Sequence, residues 1–145
     1  MDDLSSRLLE LCGVLVMSTR SAIGYLLPSN RIKAVFCHWD GEPKTKFPEL
    51  RKYDSIKKVR QLVRGGSMDC LETTDIWDSK ETREPQPLYY HERTGNPDCI
   101  PNPKVIKPFT NKNLEETKDF WKSWNCEYLY VFFNNKWFHY PLEDI

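Results

Sequence analysis

Apolar runs near both ends of the chain predict β-hairpins. Residues 21–27 and 32–39 form the first pair of predicted strands, separated by residues typical of turns. Residues 127–133 and 136–140 form the second pair, which Asn134-Asn135 joins as a tight turn. The third of these four runs is apolar on both faces, which predicts a central strand covered on both sides of a sheet.

Helical spacing dominates the stretches between these hairpins. Apolar residues recur every three or four positions from Ile56 to Val63, after a capping residue at Asp54 or Ser55 and before the helix stop Gly65-Gly66. Asn113 opens another helix, with a glutamate three residues on in the pattern of a capping box. Residues 48–53 predict one or two further helical turns, and residues 1–16 predict a short amphipathic helix.

Residues 72–108 differ from the rest of the chain because six prolines fall between Pro85 and Pro108. This composition predicts a long proline-rich loop, with at most a short strand near residues 88–92. The pattern as a whole predicts an α+β fold, in which an antiparallel sheet built from the N- and C-terminal hairpins carries two to four helices. We expect one domain over residues 17–145, preceded by a helical extension over residues 1–16. The sequence leaves open whether that extension is an added helix or lies upstream of a start at Met17.

Composition narrows the classes of function. The 145 residues carry 21 basic and 21 acidic side chains, and this zero formal charge argues against nucleic acid as a partner. The apolar stretch near the N-terminus is far shorter than the ~20 residues of a membrane span, so no membrane is expected as a partner. The five cysteines are scattered without a C-x-x-C pair, which favours reduced thiols.

The densest polar group is the segment CHWDG, from Cys37 to Gly41, at the end of a predicted strand. If the strand continues to Asp40, that carboxylate shares a face with His38, because side chains alternate along a strand. In such a pair the carboxylate orients the imidazole, or both side chains bind a divalent metal ion. A turn in which Asp40 bonds backbone amides is the competing interpretation.

A second polar set follows at residues 90–93, and a basic residue precedes the first strand. Convergence of these strands would gather both sets into one site. The candidate ligand-binding residues are therefore Arg20, His38, Trp39, Asp40, Tyr90, His91, Glu92 and Arg93. Phosphate-binding, zinc-protease, hydrolase and deaminase signatures are all missing from the sequence, so we assign no catalytic residue, no metal ligand and no cofactor.

Two segments carry a resemblance to a known family. MSTRSAIGY, from Met17, and AVFCHWDGEP, from Ala34, resemble the opening and the central box of small uncharacterised proteins of tailed bacteriophages and prophages. Residues 58–71, 89–97 and 127–140 are also similar to segments of that family. Glu42 departs from the tyrosine usual after the box, and KTKFPEL replaces a glycine-containing segment.

The resemblance implies a phage accessory protein in the cytoplasm of the bacterial host, and it implies no reaction. Our first hypothesis is a non-enzymatic module that binds a host or phage protein, for host takeover or against host defence. Its contact surface would lie around Trp39 and the proline-rich loop. The alternative is a small metal- or nucleotide-dependent enzyme, or a nucleotide-binding protein, that uses His38, Asp40 and His91. A small-molecule or nucleotide ligand follows from that alternative.

Overall fold

The computed structural model describes residues 19–77, 79–92, 109–111 and 113–142. The predicted N-terminal helix and residues 93–108 of the predicted loop lie outside these ranges. In chain order the elements are β1 (Ser21–Leu26), β2 (Ile32–Cys37), α1 (Pro43–Leu50), α2 (Ile56–Arg64), β3 (Met68–Asp75), β4 (Thr82–Tyr89), a 3₁₀ turn (Tyr90–Glu92), β5 (Phe109–Asn111), α3 (Leu114–Lys122), β6 (Tyr128–Phe133) and β7 (Lys136–Pro141).

These strands form one sheet of order β4-β3-β2-β1-β6-β7, with β5 paired to β2. The α+β prediction is confirmed, and so are both terminal hairpins, since β1–β2 and β6–β7 are antiparallel pairs. The expectation of a wholly antiparallel sheet is only partly right, because β1 runs parallel to β6 and β2 parallel to β3. Helical connections account for both parallel pairs. α1 and α2 carry the chain from β2 to β3. β5 is antiparallel to β2 and so runs in the direction of β1, and α3 then carries the chain to β6 in that same direction.

The helices cover the central strands from both sides. On one face, α1 and α2 bury Leu50 and Val59 against Tyr130 of β6. On the other, α3 buries Trp121 against Val131 of the same strand. The predicted central strand is therefore confirmed, since β6 contributes to both clusters and lies between β1 and β7.

Local signals set where the helices begin. Ser55 Oγ accepts from the Lys58 amide at 3.3 Å, and Asn113 Oδ1 accepts from the Glu116 amide at 2.9 Å, as the capping patterns predict. Helix α1 begins earlier than the sequence indicated, with Pro43 in its first turn. A proline suits that place because its fixed φ is helical and its missing N–H has no partner to lose there.

The prediction of a loop over residues 72–108 is wrong for its first part. β3 continues to Asp75, and β4 takes up residues 82–89. Pro85 and Pro87 are compatible with a strand here because β4 lies at the edge of the sheet, where one side needs no ladder donors. The pairing of β3 with β4 is irregular, with three shifts of register along its length.

Candidate functional site

The CHWDG segment forms a turn at the end of β2, which we call the box turn (Cys37–Gly41). After β2 ends, the chain stays beside β3 for two residues, as the amides of His38 and Trp39 donate to the carbonyls of Met68 and Asp69 at 3.1 and 3.0 Å. Asp40 then adopts a left-handed φ of 56°. The expected strand alternation therefore ends before Asp40, and the exposed carboxylate does not share a strand face with His38.

Backbone contacts hold the end of the box turn against β1. The Gly41 amide donates to the Thr19 carbonyl at 2.9 Å, and the Tyr130 hydroxyl donates to the Gly41 carbonyl. A Cβ at position 41 would lie 2.6 Å from the Thr19 carbonyl oxygen and 3.0 Å from the Ser21 Cβ. Only glycine fits this approach of two backbones, so the last residue of CHWDG is required by packing.

A buried lysine supports the box turn from the α1 side. Lys46 is completely buried, and its Nζ donates to Glu49 Oε1 at 3.0 Å, to the Trp39 carbonyl at 3.4 Å and to Cys37 Sγ at 3.6 Å. Burial disfavours the ammonium, but Cys37 and Glu49 more than offset it and raise the pKa of Lys46. Burial also raises the pKa of the Cys37 thiol, which argues against a nucleophilic cysteine.

The structure brings Arg20, His38 and Trp39 to one end of the sheet, because Ser21 pairs with Cys37. The His38 and Trp39 rings are both half-buried, with their centroids 4.7 Å apart in an edge-on arrangement. Burial and the Arg20 guanidinium lower the pKa of His38, and Asp69 opposes them. The imidazole is thus neutral near pH 7.

Tyr90 lies at the same end of the sheet, on the inside. Its amide donates to the Ser67 carbonyl at 3.0 Å, and its ring stacks on Trp77 with centroids 6.2 Å apart. The side chain is buried, and burial together with Asp69 raises the pKa of its hydroxyl. Tyr90 therefore belongs to the core beneath the candidate surface.

The second predicted set forms a separate feature, the Tyr89–Glu92 corner. The His91 ring stacks on Tyr89, 5.3 Å away, and Tyr89 donates its hydroxyl to the Leu62 carbonyl of α2. His38 instead lies against Phe36, whose cluster contains α3. The two histidines are on opposite faces of the sheet, so the two sets do not form one site.

Glu92 is engaged in holding this corner together. Its carboxylate accepts from both terminal nitrogens of Arg83, at 2.7 and 3.2 Å, and from the Tyr89 amide at 2.8 Å. Burial raises the pKa of Glu92, but these bonds outweigh it and the net shift is downward. Arg93, the last member of the predicted set, lies outside the described residues.

The sequence patterns did not identify two residues that shape this region, Lys46 and Asp69. Lysines are rarely buried, and Lys46 stands in a segment where the sequence suggested no helix before residue 48. The sequence signal for its burial is that Lys46 lies four residues before Leu50, on the same face of a helix. That signal is visible only if the helix is taken to begin at Pro43. Asp69, whose charge acts on His38, was missed because only the parallel pairing of β2 with β3 brings it near the box turn.

The described ranges contain neither a group of potential metal ligands nor a membrane-spanning helix. His, Cys, Asp and Glu side chains there form no group of three or more that could hold a metal ion. No helix in the same ranges is long and apolar enough to cross a bilayer. Cys37, Cys70 and Cys126 are free thiols, while Cys12 and Cys99 lie outside the described part.

Comparison of the chain with models of protein families, with curated proteins and with solved structures finds no match. The resemblance to the phage family therefore stays a prediction that rests on the sequence segments given above.

Proposed function

We propose that this chain is a non-enzymatic binding module of a bacteriophage or prophage, acting in the bacterial cytoplasm on a host or phage protein. Its contact surface is the end of the sheet that carries Arg20, His38 and Trp39, which we call the Trp39 surface. The observation that carries this proposal is a half-buried tryptophan beside a neutral histidine, on a turn that buried groups hold in place.

The chemistry of the Trp39 surface suits protein recognition. Tryptophan and arginine are the residues enriched among those that dominate interface energies. Lys46 holds the Trp39 carbonyl and Tyr130 holds the Gly41 carbonyl, so the turn is ordered before any partner arrives. Such preorganisation reduces the entropy lost on binding.

The geometry favours binding over the enzymatic alternative. A metal- or nucleotide-dependent site built on His38, Asp40 and His91 needs these side chains at one place. His91 lies on the face opposite His38, and Asp40 lies on an exposed turn. Glu92, the nearest carboxylate to His91 in sequence, is already bonded to Arg83.

The test is affinity capture from bacterial lysate with tagged full-length chain, read by mass spectrometry. Trp39→Ala is expected to reduce capture of the partner by at least tenfold, as for a central interface residue. A bait with both His38→Ala and Asp40→Ala should retain the partner, because the tryptophan provides the apolar anchor. Phe138→Ala is the matched control, since it truncates a half-buried aromatic side chain on edge strand β7.

Thermal unfolding of each bait checks that all four are folded. Capture that is equal for wild type and Trp39→Ala would contradict the proposal. A metal or nucleotide released from the purified wild-type protein, and lost in the His38→Ala, Asp40→Ala bait, would favour the enzymatic alternative instead.

A further inference from the structure

A cavity of about 660 Å³ opens at the end of the sheet opposite the Trp39 surface. Its lining comprises residues 25–27 of β1 and its turn, residues 132–133 of β6, and Ile56 and Arg60 of α2. We call it the Arg60 cavity. Strand β1 is six residues long, so roughly 20 Å separate the two ends.

The topology of the sheet explains why a cavity forms here. β1 and β6 are neighbouring parallel strands, so their carboxyl ends meet at the same edge. From that edge β1 turns toward β2 on one side, while β6 turns toward β7 on the other. The two connections diverge and leave a crevice between them. Ligands of open α/β sheets bind in such crevices, outside the carboxyl ends of adjacent strands.

The lining of the cavity combines apolar and polar residues. Leu26, Leu27 and Phe133 are half-buried, and Ile56 keeps 43% of its surface exposed. A volume of this size matches sites that hold small organic molecules. The apolar part of such a molecule would cover the side chain of Ile56, which the fold leaves in water.

The polar residues of the lining favour a negatively charged end on that molecule. Arg60 is exposed and forms no ion pair with the other described residues, whereas Lys58 on the same helix pairs with Asp54 at 2.9 Å. Asn30 and Asn135, exposed residues of the two diverging turns, belong to the same lining. A guanidinium with amide-bearing residues in one lining suits a carboxylate or a phosphate.

We propose that the Arg60 cavity binds a small amphiphilic anion, with an apolar body against the apolar residues of the lining and a carboxylate or phosphate head on Arg60. This site is separate from the Trp39 surface, so either can fail without the other. The proposal predicts that binding needs both parts of the molecule. A head group alone lacks the apolar contacts, and an apolar body alone lacks the bond to Arg60.

The test is a two-dimensional amide NMR titration of the full chain with octanoate, octyl phosphate, octanol and inorganic phosphate. Octanoate or octyl phosphate should shift the resonances of Leu27 and Asn135 and of the Asn30 side-chain amide. Octanol and inorganic phosphate should bind more weakly by about tenfold or more, since a hydrogen bond to a charged group contributes roughly that factor. The tighter of the two anionic probes identifies the head group, and either one supports the proposal.

Two variants on the exposed side of α2 separate the head from the body. Arg60→Gln should weaken octanoate about tenfold, while the matched control Arg64→Gln, exposed on the same helix, should leave it unchanged. Ile56→Ser should weaken octanoate and octanol alike. Equal losses in Arg60→Gln and Arg64→Gln would show a diffuse charge effect and overturn the proposal. Shifts confined to other regions, equal binding of octanol and octanoate, or no binding of any probe would overturn it as well.

Discussion

The box turn and the Tyr89–Glu92 corner contain similar polar residues, yet the polar groups that support them differ in their exposure to solvent. In the first, Lys46 is completely buried behind the turn that it supports. In the second, the side chains of Arg83 and Glu92 keep 24% and 23% of their surface exposed. Both polar groups hold a turn of the chain, but water reaches the Lys46 group less easily to replace a lost partner, since Lys46 is fully buried and Glu49 is 14% exposed. The same kind of contact therefore differs in its contribution to stability.

The position of each feature in the sheet produces this difference. The box turn ends a central strand, and α1 covers it from one side. The corner ends edge strand β4, whose outer side has no neighbouring strand in the described sheet. Substitutions that remove one partner test the comparison directly, and we expect their effects to follow burial and not the number of hydrogen bonds.

The largest effect is expected for Lys46→Ala. Alanine leaves the Glu49 carboxylate and the Trp39 carbonyl without their donor, and it empties the space of a buried four-carbon stem. Losing one partner of such a buried group costs about 3 kcal/mol of unfolding free energy. Urea unfolding followed by tryptophan fluorescence measures this loss.

Two further variants isolate the cause of that loss. Lys46→Met keeps the stem and removes the hydrogen bonds, so its loss should lie between those of wild type and Lys46→Ala. Lys44→Ala changes an exposed lysine of the same helix and should stay within about 0.5 kcal/mol of wild type. If Lys44→Ala and Lys46→Ala were equally stable, burial would not explain the contribution of Lys46. The contrast in stability between the box turn and the Tyr89–Glu92 corner would then fail.

Much of the fold follows from local sequence signals, whereas only part of the site does. Strands β1, β2, β6 and β7 were predictable because their apolar runs and turns are continuous in sequence. β4 was not, because Pro85 and Pro87 predict a loop unless the strand is known to lie at an edge. The burial of Lys46 was equally hidden, since it depends on contacts between α1 and the end of β2.

The predicted candidate residues show the same limit. Arg20, His38 and Trp39 meet because β1 and β2 form the hairpin that the sequence indicated. His91 would join them only if its segment converged on the same site, but the 3₁₀ turn after β4 sets it beside Tyr89 on the other face. Face assignments propagate along a regular strand and are lost where the strand ends.

An intermediate effect is expected for Gly41→Ala in the box turn. The added Cβ would lie 2.6 Å from the Thr19 carbonyl oxygen, so the turn and the start of β1 must separate. Overpacking of this kind costs about 2 kcal/mol. Urea unfolding measures it, and unchanged stability would mean that this backbone contact yields easily. Because the turn moves, the variant should also weaken capture of the partner proposed for the Trp39 surface.

The smallest effect is expected for Glu92→Gln in the exposed corner. The substitution removes the charge that Arg83 pairs with, and nearby water limits the loss to about 1 kcal/mol at pH 7. Glu84→Gln, exposed on the same strand, is the matched control and should be neutral.

At low pH, the difference in unfolding free energy between wild type and Glu92→Gln should disappear. The pKa of Glu92 lies below its ordinary value of 4.5 in the folded chain, so the unfolded chain binds protons first as the pH falls. The contribution of this carboxylate is therefore complete above about pH 4.5 and disappears as the pH falls through the folded pKa. Urea unfolding at pH 7 and at successively lower pH measures the unfolding free energies of wild type and Glu92→Gln until the two values coincide. A difference that persists unchanged in acid would mean that the ion pair with Arg83 is not what stabilises the corner.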